Sequence, residues 1–421
     1  MLGLGHIVLG LASVIVCLSG LGCQSTGSGP FDAALANLTD GGPADVAQDR
    51  SPCEAIAQTC ISAQKACVIG EDDALSCESC PKGAYPAPPY ATCAPIEGEA
   101  IEHEFAAITL APGEEISSVC QTWILNNAEE LWIHAVEFEN DGGYHHSNWV
   151  FVPEGFNGWP TEPWYDCYAN GFNEGAAGLM GGVLYAQSTQ AFSELQKFKE
   201  GAALRIPPYS QIMAPTHLLN YNPVALTTSA RLTLYAVPVG EVEIKLTPIV
   251  LTNRALALPK KSSSEFRSSC DFDDSFKTFL GGPLEAKLHY ALPHYHDRAV
   301  GFRLAVYGGD RDGEVIFEDE GYGLEPFGRL FDPPIDLAGS KGLTFSCFYE
   351  NESNKKIKWG IGDREMCDML GFVESKASLI GYINGGELTK LEDGVYLHDG
   401  ECLASTVEFS QSKEGGDPPA Q

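Results

Sequence analysis

The chain has 421 residues, with 57 Asp plus Glu against 26 Lys plus Arg and a formal charge of −31. This length accommodates two ordinary domains and a small third one. The acidic balance excludes nucleic acid and anionic membrane surfaces as partners, and 45 glycines and 26 prolines among many Val, Thr, Tyr and Phe favour strands and turns over helices. At the N-terminus, Ile7–Leu18 is apolar, short for a bilayer span, and followed by small residues up to Cys23. Residues 1–22 therefore read as an export signal. Cys23 after Leu21-Gly22 reads as a lipidation site, which would anchor the protein at a bacterial membrane or cell surface without a transmembrane helix. Gly20 stands where lipoprotein signals carry an aliphatic residue, and a signal cleaved without lipidation is the competing reading.

Residues 23–50 are rich in Gly, Ala, Ser and Asp and read as a flexible linker. Residues 51–96 hold Cys53, Cys60, Cys67, Cys77, Cys80 and Cys93, a small disulfide-stapled module. About fifteen pairings of six cysteines are possible. Cys77-x-x-Cys80 also has the spacing of a zinc or redox motif, but an exported chain with neighbouring cysteines favours disulfides. From residue 97 the texture is all-β. Trp132–Glu139, Ala230–Val237 and Val242–Leu251 alternate as strands do, with Asp141-Gly142-Gly143 and Ala111-Pro112-Gly113 as turns between runs. Gln190–Glu200 reads as a short helix, and Lys260-Lys261-Ser262-Ser263-Ser264 as a linker. Phe302–Tyr307, Gly313–Phe317 and Leu343–Tyr349 are strand-like, and residues 411–421 form a polar tail. The expected fold is all-β: two consecutive jelly-roll-like antiparallel β-sandwich domains, over 97–255 and 265–410, preceded by the cysteine-rich module.

Chemistry concentrates in the histidines. Five of the ten fall into two clusters, His145-His146 with His217, and His294-Tyr295-His296. On a strand, residues two apart share a face, so His294 and His296 can reach one ion. Met366, in the stretch Trp359–Phe372, offers a thioether beside Cys367. Two imidazoles and a thioether suit copper, because soft sulfur favours Cu(I) and imidazole serves both oxidation states. Adjacent strand residues diverge, so His145 and His146 can share an ion with His217 only where the backbone bends, which Gly142 and Gly143 permit. Three imidazoles would accept copper or zinc. Cys120 and Cys167 flank this region as a candidate disulfide. His134 and His289 are candidates to support the ligands, whereas His103 and His398 read as structural. No P-loop, dinucleotide fingerprint or nucleophile elbow is present, and Asn351-Glu352-Ser353 is a glycosylation sequon by pattern only.

The segments PHYHDRAVGF from Pro293 and FSCFYENESNKKIKWGIGDREMCDMLGF from Phe345 resemble the C-terminal half of the copper type II, ascorbate-dependent monooxygenases. GGYHHSNWVFVPEG from Gly142 and RIPPYSQIMAPTHLLNYNP from Arg205 resemble the N-terminal half, and the likeness runs from Ile101 to Cys402. The resemblance implies two copper ions, one per sandwich, with a solvent-filled cleft between. Catalysis falls to His294, His296 and Met366, where O2 and substrate react, and electron storage to His145, His146 and His217. It also implies ascorbate or another one-electron donor, and disulfides Cys347–Cys367 and Cys270–Cys402. In the family's peptide-amidating members an arginine two residues before His-x-His holds the peptide carboxylate; Leu292 stands here. Their polar and tyrosine positions after the methionine are Asp368 and Leu370, and a glutamine before the third histidine is Pro215. The expected substrate is a small or peptide-like molecule, with Asp368 a candidate partner for an amine. Two other classes remain open: a copper-binding or storage lipoprotein that keeps the ligands without catalysis, and a carbohydrate- or protein-binding surface sandwich.

Overall fold

The computed structural model describes residues 53, 60, 65–69, 74–87, 92–154, 159–172, 177, 181–187, 192–319, 321, 328–360, 363–392 and 394–408. The expected export signal, Cys23, the linker after it and the tail lie outside these residues. The all-β expectation holds: among the described residues three large sheets pack as two sandwiches, with four two-stranded ribbons beside them. A six-stranded sheet centres on Ser262–Asp271, Gly342–Asn351 and Ala299–Tyr307. A five-stranded sheet includes Glu115–Ile124, Gln211–Leu219, Tyr144–Val152 and Gly182–Gln187. An eleven-stranded sheet runs through both halves of the chain, joined at Ile244–Asn253. That strand pairs parallel with Ala202–Ile206 of the first half and antiparallel with Cys367–Ser375 of the second. The two sandwiches are therefore not separable at residue 255.

Alternation places the cores. Phe266, Phe302, Phe345 and Tyr349 from the six-stranded sheet meet Leu288, Ala291, Met369 and Val373 from the large one. In the first half, Trp149, Phe151, Ile212 and Leu218 from the five-stranded sheet meet Val136, Phe138, Leu232 and Leu234. The five-stranded sheet is also covered on its other face. Val150, Val152, Val183 and Met213 pack there against Leu292 and Leu370, which come from the second half. At this seam the halves meet in apolar contact, where the resemblance implied a solvent-filled cleft.

Other expectations need correction. Within Gln190–Glu200, the described residues contain the strand Ser193–Lys197, which pairs with Leu131–Asn140. Its Glu194 and Gln196 face inward, and pairing overrides their helix propensity. The Ser262-Ser263-Ser264 linker is the start of the strand Ser262–Asp271, paired on both edges. The helix Phe272–Leu280 had readable signals: Asp271 caps it by accepting from Asp274 N at 3.1 Å, and Gly281 ends it at φ +74°. Among the described residues no helix is long and apolar enough to cross a membrane.

The disulfides are Cys53–Cys67, Cys60–Cys77, Cys80–Cys93, Cys120–Cys167, Cys270–Cys402 and Cys347–Cys367. Cys77 and Cys80 belong to different bridges, so their spacing is no zinc or redox motif. The cysteine-rich module docks on the large sheet. Ile96 packs with Ala135 and Tyr235, and Lys197 lies 4.1 Å from the Tyr85 ring centre. The Asn351 amide donates to Pro259 O at 2.7 Å and Lys355 O at 2.9 Å, so the sequon is consumed by a turn.

The seam generates a test. Leu292→Ala should destabilise the protein by about 2–5 kcal/mol, because it opens a cavity between two packed sheets. At a solvent-lined cleft the same change stays within about 0.5 kcal/mol. Urea denaturation midpoints of the two proteins separate these outcomes.

Candidate metal centre

Both histidine clusters lie at one end of the seam. On Tyr144–Val152, Trp149 and Phe151 point into the first core. Strict alternation would send His145 inward with them. Instead His217 pairs with His146 and Leu218 pairs with Tyr144, leaving His145 as the extra residue of a β-bulge. Tyr144 then enters the core and both histidines lie towards His217. The preceding turn has Gly142 at φ +99° and Gly143 at φ +77°, and a side chain at Gly143 would come 2.9 Å from Leu226. The bend expected from the two glycines is thus realised two residues after Gly143, as a bulge.

The second cluster uses plain strand register. His294 pairs with Asp368 and Tyr295 with Cys367 in the ladder between Ala286–Tyr295 and Cys367–Ser375. Tyr295 and Cys367 turn into the second core, where Cys367 bonds Cys347. His294 and Asp368 take the opposite face, towards the seam; the ladder ends at Tyr295 and Cys367, with His296 just after one strand and Met366 just before the other. Met366 is buried, and the Tyr349 hydroxyl donates to its carbonyl oxygen. The Thr252 hydroxyl holds Asp368.

The two clusters are one constellation. The His146 ring centre lies 4.9 Å from His217, 5.1 Å from His294 and 5.3 Å from His296, and His145 lies 4.8 Å from His217. One ligand atom each from His146, His294 and His296 fit within 4.8 Å of one another, a spacing that could hold a metal ion. The sequence grouped His146 with His145 and His217; the fold places it between that pair and the second cluster.

Hydrogen bonds set which nitrogen each ring offers. Glu115 Oε1 lies 2.8 Å from His217 Nε2, and a carboxylate only accepts, so Nε2 carries the proton. His217 Nδ1 is left as the lone pair and faces His146 Nε2 at 3.1 Å. His296 Nδ1 donates to Arg364 O at 2.8 Å, leaving Nε2 free to ligate. That atom and both ring nitrogens of His294 are buried without a hydrogen-bond partner, so their lone pairs are not committed elsewhere in the protein.

Electrostatics agree. Burial lowers the pKa of His146 well below its ordinary value, with His294 and His296 adding to the effect. Burial, then His296 and His145, holds His294 at about 3. Burial also lowers His296 and His217, although Arg364 O and Glu115 respectively pull the other way. At neutral pH these rings are neutral and their lone pairs available.

The other described histidines stand apart. His134 Nδ1 lies 3.1 Å from Ala202 O. His289 is a bulge residue about 16 Å along its strand from His294, with Nε2 3.5 Å from Glu374. Neither supports the ligands as the sequence suggested. His103 stacks on Trp123 and His398 on Phe266, both structural. Glu115 and Glu365 do support the constellation. Sequence reasoning passed over them because 57 acidic residues leave no carboxylate conspicuous.

No family model and no curated protein matches the sequence. Among solved structures, the chain is similar to the major capsid protein P2 of bacteriophage PM2, at 7% identity and TM-score 0.28 over 66% of this chain and 98% of that one. It is similar to the PBSX exported protein XepA at 7% identity and TM-score 0.19, over 70% and 95%. It is also similar to PBCV-1 VP54 at 6% identity and TM-score 0.20, over 66% and 94%. At such low TM-scores these likenesses carry no argument about function.

The buried neutral rings predict a pH dependence. Unfolded histidines take up protons below about 6.5, whereas the native constellation resists them, so the unfolded state binds more protons there. Stability of the metal-free protein should therefore fall as pH drops from 6.5 towards about 3, the value at His294. His294→Asn should flatten that fall, measured as urea midpoints across the window.

Proposed function

We propose that this chain is an exported copper-dependent monooxygenase that hydroxylates a C–H bond of a small substrate. The observation that carries the reading is the convergence of five histidines from both halves of the chain, with unpartnered nitrogens at its centre; Met366 is the thioether the reading adds to them. The donor set fits copper: imidazoles accept either oxidation state, and a thioether selects Cu(I) over zinc or magnesium. Two copper ions would supply the two electrons needed to insert one oxygen atom of O2, with ascorbate or another one-electron donor restoring them.

The chain's own residues supply orientation and exclusion. His294 lies on a strand that ends just before His296, and Met366 directly precedes the opposite strand, next to the Cys347–Cys367 bridge. His217 presents Nδ1 because Glu115 occupies Nε2. Leu292 and Leu370, at the positions where the peptide-amidating members of the family it resembles contact peptide, are buried in the apolar seam. This supports a substrate other than a peptide carboxylate. Asp368, held by Thr252 on the face of His294, is the candidate contact for an amine. The disulfides fit an oxidising compartment, and lipidation at Cys23 would tether the protein there.

The second reading is a copper-binding surface protein without catalysis. The apolar contact of Leu292 and Leu370 across the seam favours it, since that contact narrows access for a substrate.

Met366→Ile separates the readings. It keeps the bulk and removes the sulfur, and as a core exchange alone should cost under about 1.5 kcal/mol. The monooxygenase reading expects intact folding with loss of substrate-coupled O2 consumption by at least about tenfold, that is about 1.4 kcal/mol of barrier. Turnover near that of the wild type would contradict a ligand role for Met366. Copper bound by the wild type without coupled O2 uptake on any substrate would favour storage.

A further inference from the structure

We propose that Glu365 is the positioning residue that fixes His296 opposite Met366, by clasping the backbone that leaves the His294–His296 segment; the inference rests on the copper reading above. The ladder that aligns the two ligand-bearing strands ends at Tyr295 and Cys367. Beyond it, no strand pairing holds His296 to Met366. Glu365 fills that place. Its Oε2 accepts from His296 N at 3.0 Å and its Oε1 from Arg298 N at 3.0 Å, with Arg298 Nη1 3.5 Å away.

The clasp is anchored at its other end. Glu365 N donates to Lys358 O at 3.1 Å, and Glu365 O accepts from Gly360 N at 3.0 Å. The preceding residue completes it, because Arg364 O takes the His296 Nδ1 proton. Residues 364 and 365 thus set the tautomer and the position of His296, while residue 366 brings the thioether. Glu365 is 0% exposed. Burying a carboxylate is costly, and an apolar side chain of similar volume would fill the same space at lower cost. What an apolar residue cannot do is accept two backbone N–H groups at once. The carboxyl group is therefore a geometric device, and its effect should appear in the ligand set before it appears in the fold.

The test uses the full chain and copper alone as probe. Glu365→Gln keeps the shape but offers one acceptor oxygen where two amides need one each. Competition with a chelator should show Cu(I) affinity at the His294–His296 site lowered by about 10–100-fold. X-ray absorption of the Cu(I) form should lose its Cu–S component, which a general loss of stability would not remove. Affinity and Cu–S scattering equal to those of the wild type would overturn the clasp. A second measurement needs neither the variant nor metal. In the wild-type protein the amides of His296 and Arg298 should exchange with solvent as slowly as the core strands, and fast exchange would overturn the clasp directly. Wild-type protein that binds no Cu(I) would overturn the copper reading and the metal half of this inference together.

Discussion

The apolar seam between the two halves is the contact on which the site depends. Val150, Val152 and Met213 from the first half meet Leu292 and Leu370 from the second. Full burial of such a side chain contributes about 1.5–3 kcal/mol. Continuing along the same strands, the residues on those faces are His146 and His217 on one side and His294 on the other. The seam thus presses imidazoles from separate sandwiches into ring contact, which none of them would adopt in water. Their depressed pKa values follow from this enclosure, burial being the largest cause at each.

The enclosure also explains the division between legible and illegible features. Trp132–Glu139 and Ala230–Val237 were readable because apolar residues on the core face, such as Val136, Phe138, Leu232 and Leu234, alternate with polar ones on the other face, although that face is largely buried too. The five-stranded sheet is covered on both faces, so Gly182–Gln187 and Gln211–Leu219 are buried almost throughout and carry no period of two. Their absence from the sequence reading hid the sheet that carries His146 and His217. It also hid the seam, and with it the contact between the clusters. The histidine clusters and the cysteine bridges of the second sandwich were legible because each motif is local or carried by the family likeness. Glu115 and Glu365 were not, because their meaning lies in hydrogen bonds to residues distant in sequence.

The arrangement gives a physical reason for two kinds of support around one constellation. His217 and His296 have one nitrogen engaged outside the centre, by a carboxylate and a carbonyl respectively. That leaves the inward nitrogen as a lone pair without any need for a charged ring. His294 has no such partner and relies on strand register alone. Under the copper reading, His146 is the ring that couples the sets, since it contacts His217, His294 and His296. Occupation of one position then alters the geometry of the other.

Anomalous diffraction at the copper absorption edge, from crystals of the copper-loaded protein, tests the central claim most directly. The account predicts anomalous density at the end of the seam, between His145, His146 and His217 on one side and His294, His296 and Met366 on the other. Density confined to surface histidines or carboxylates, or none at all, would contradict it.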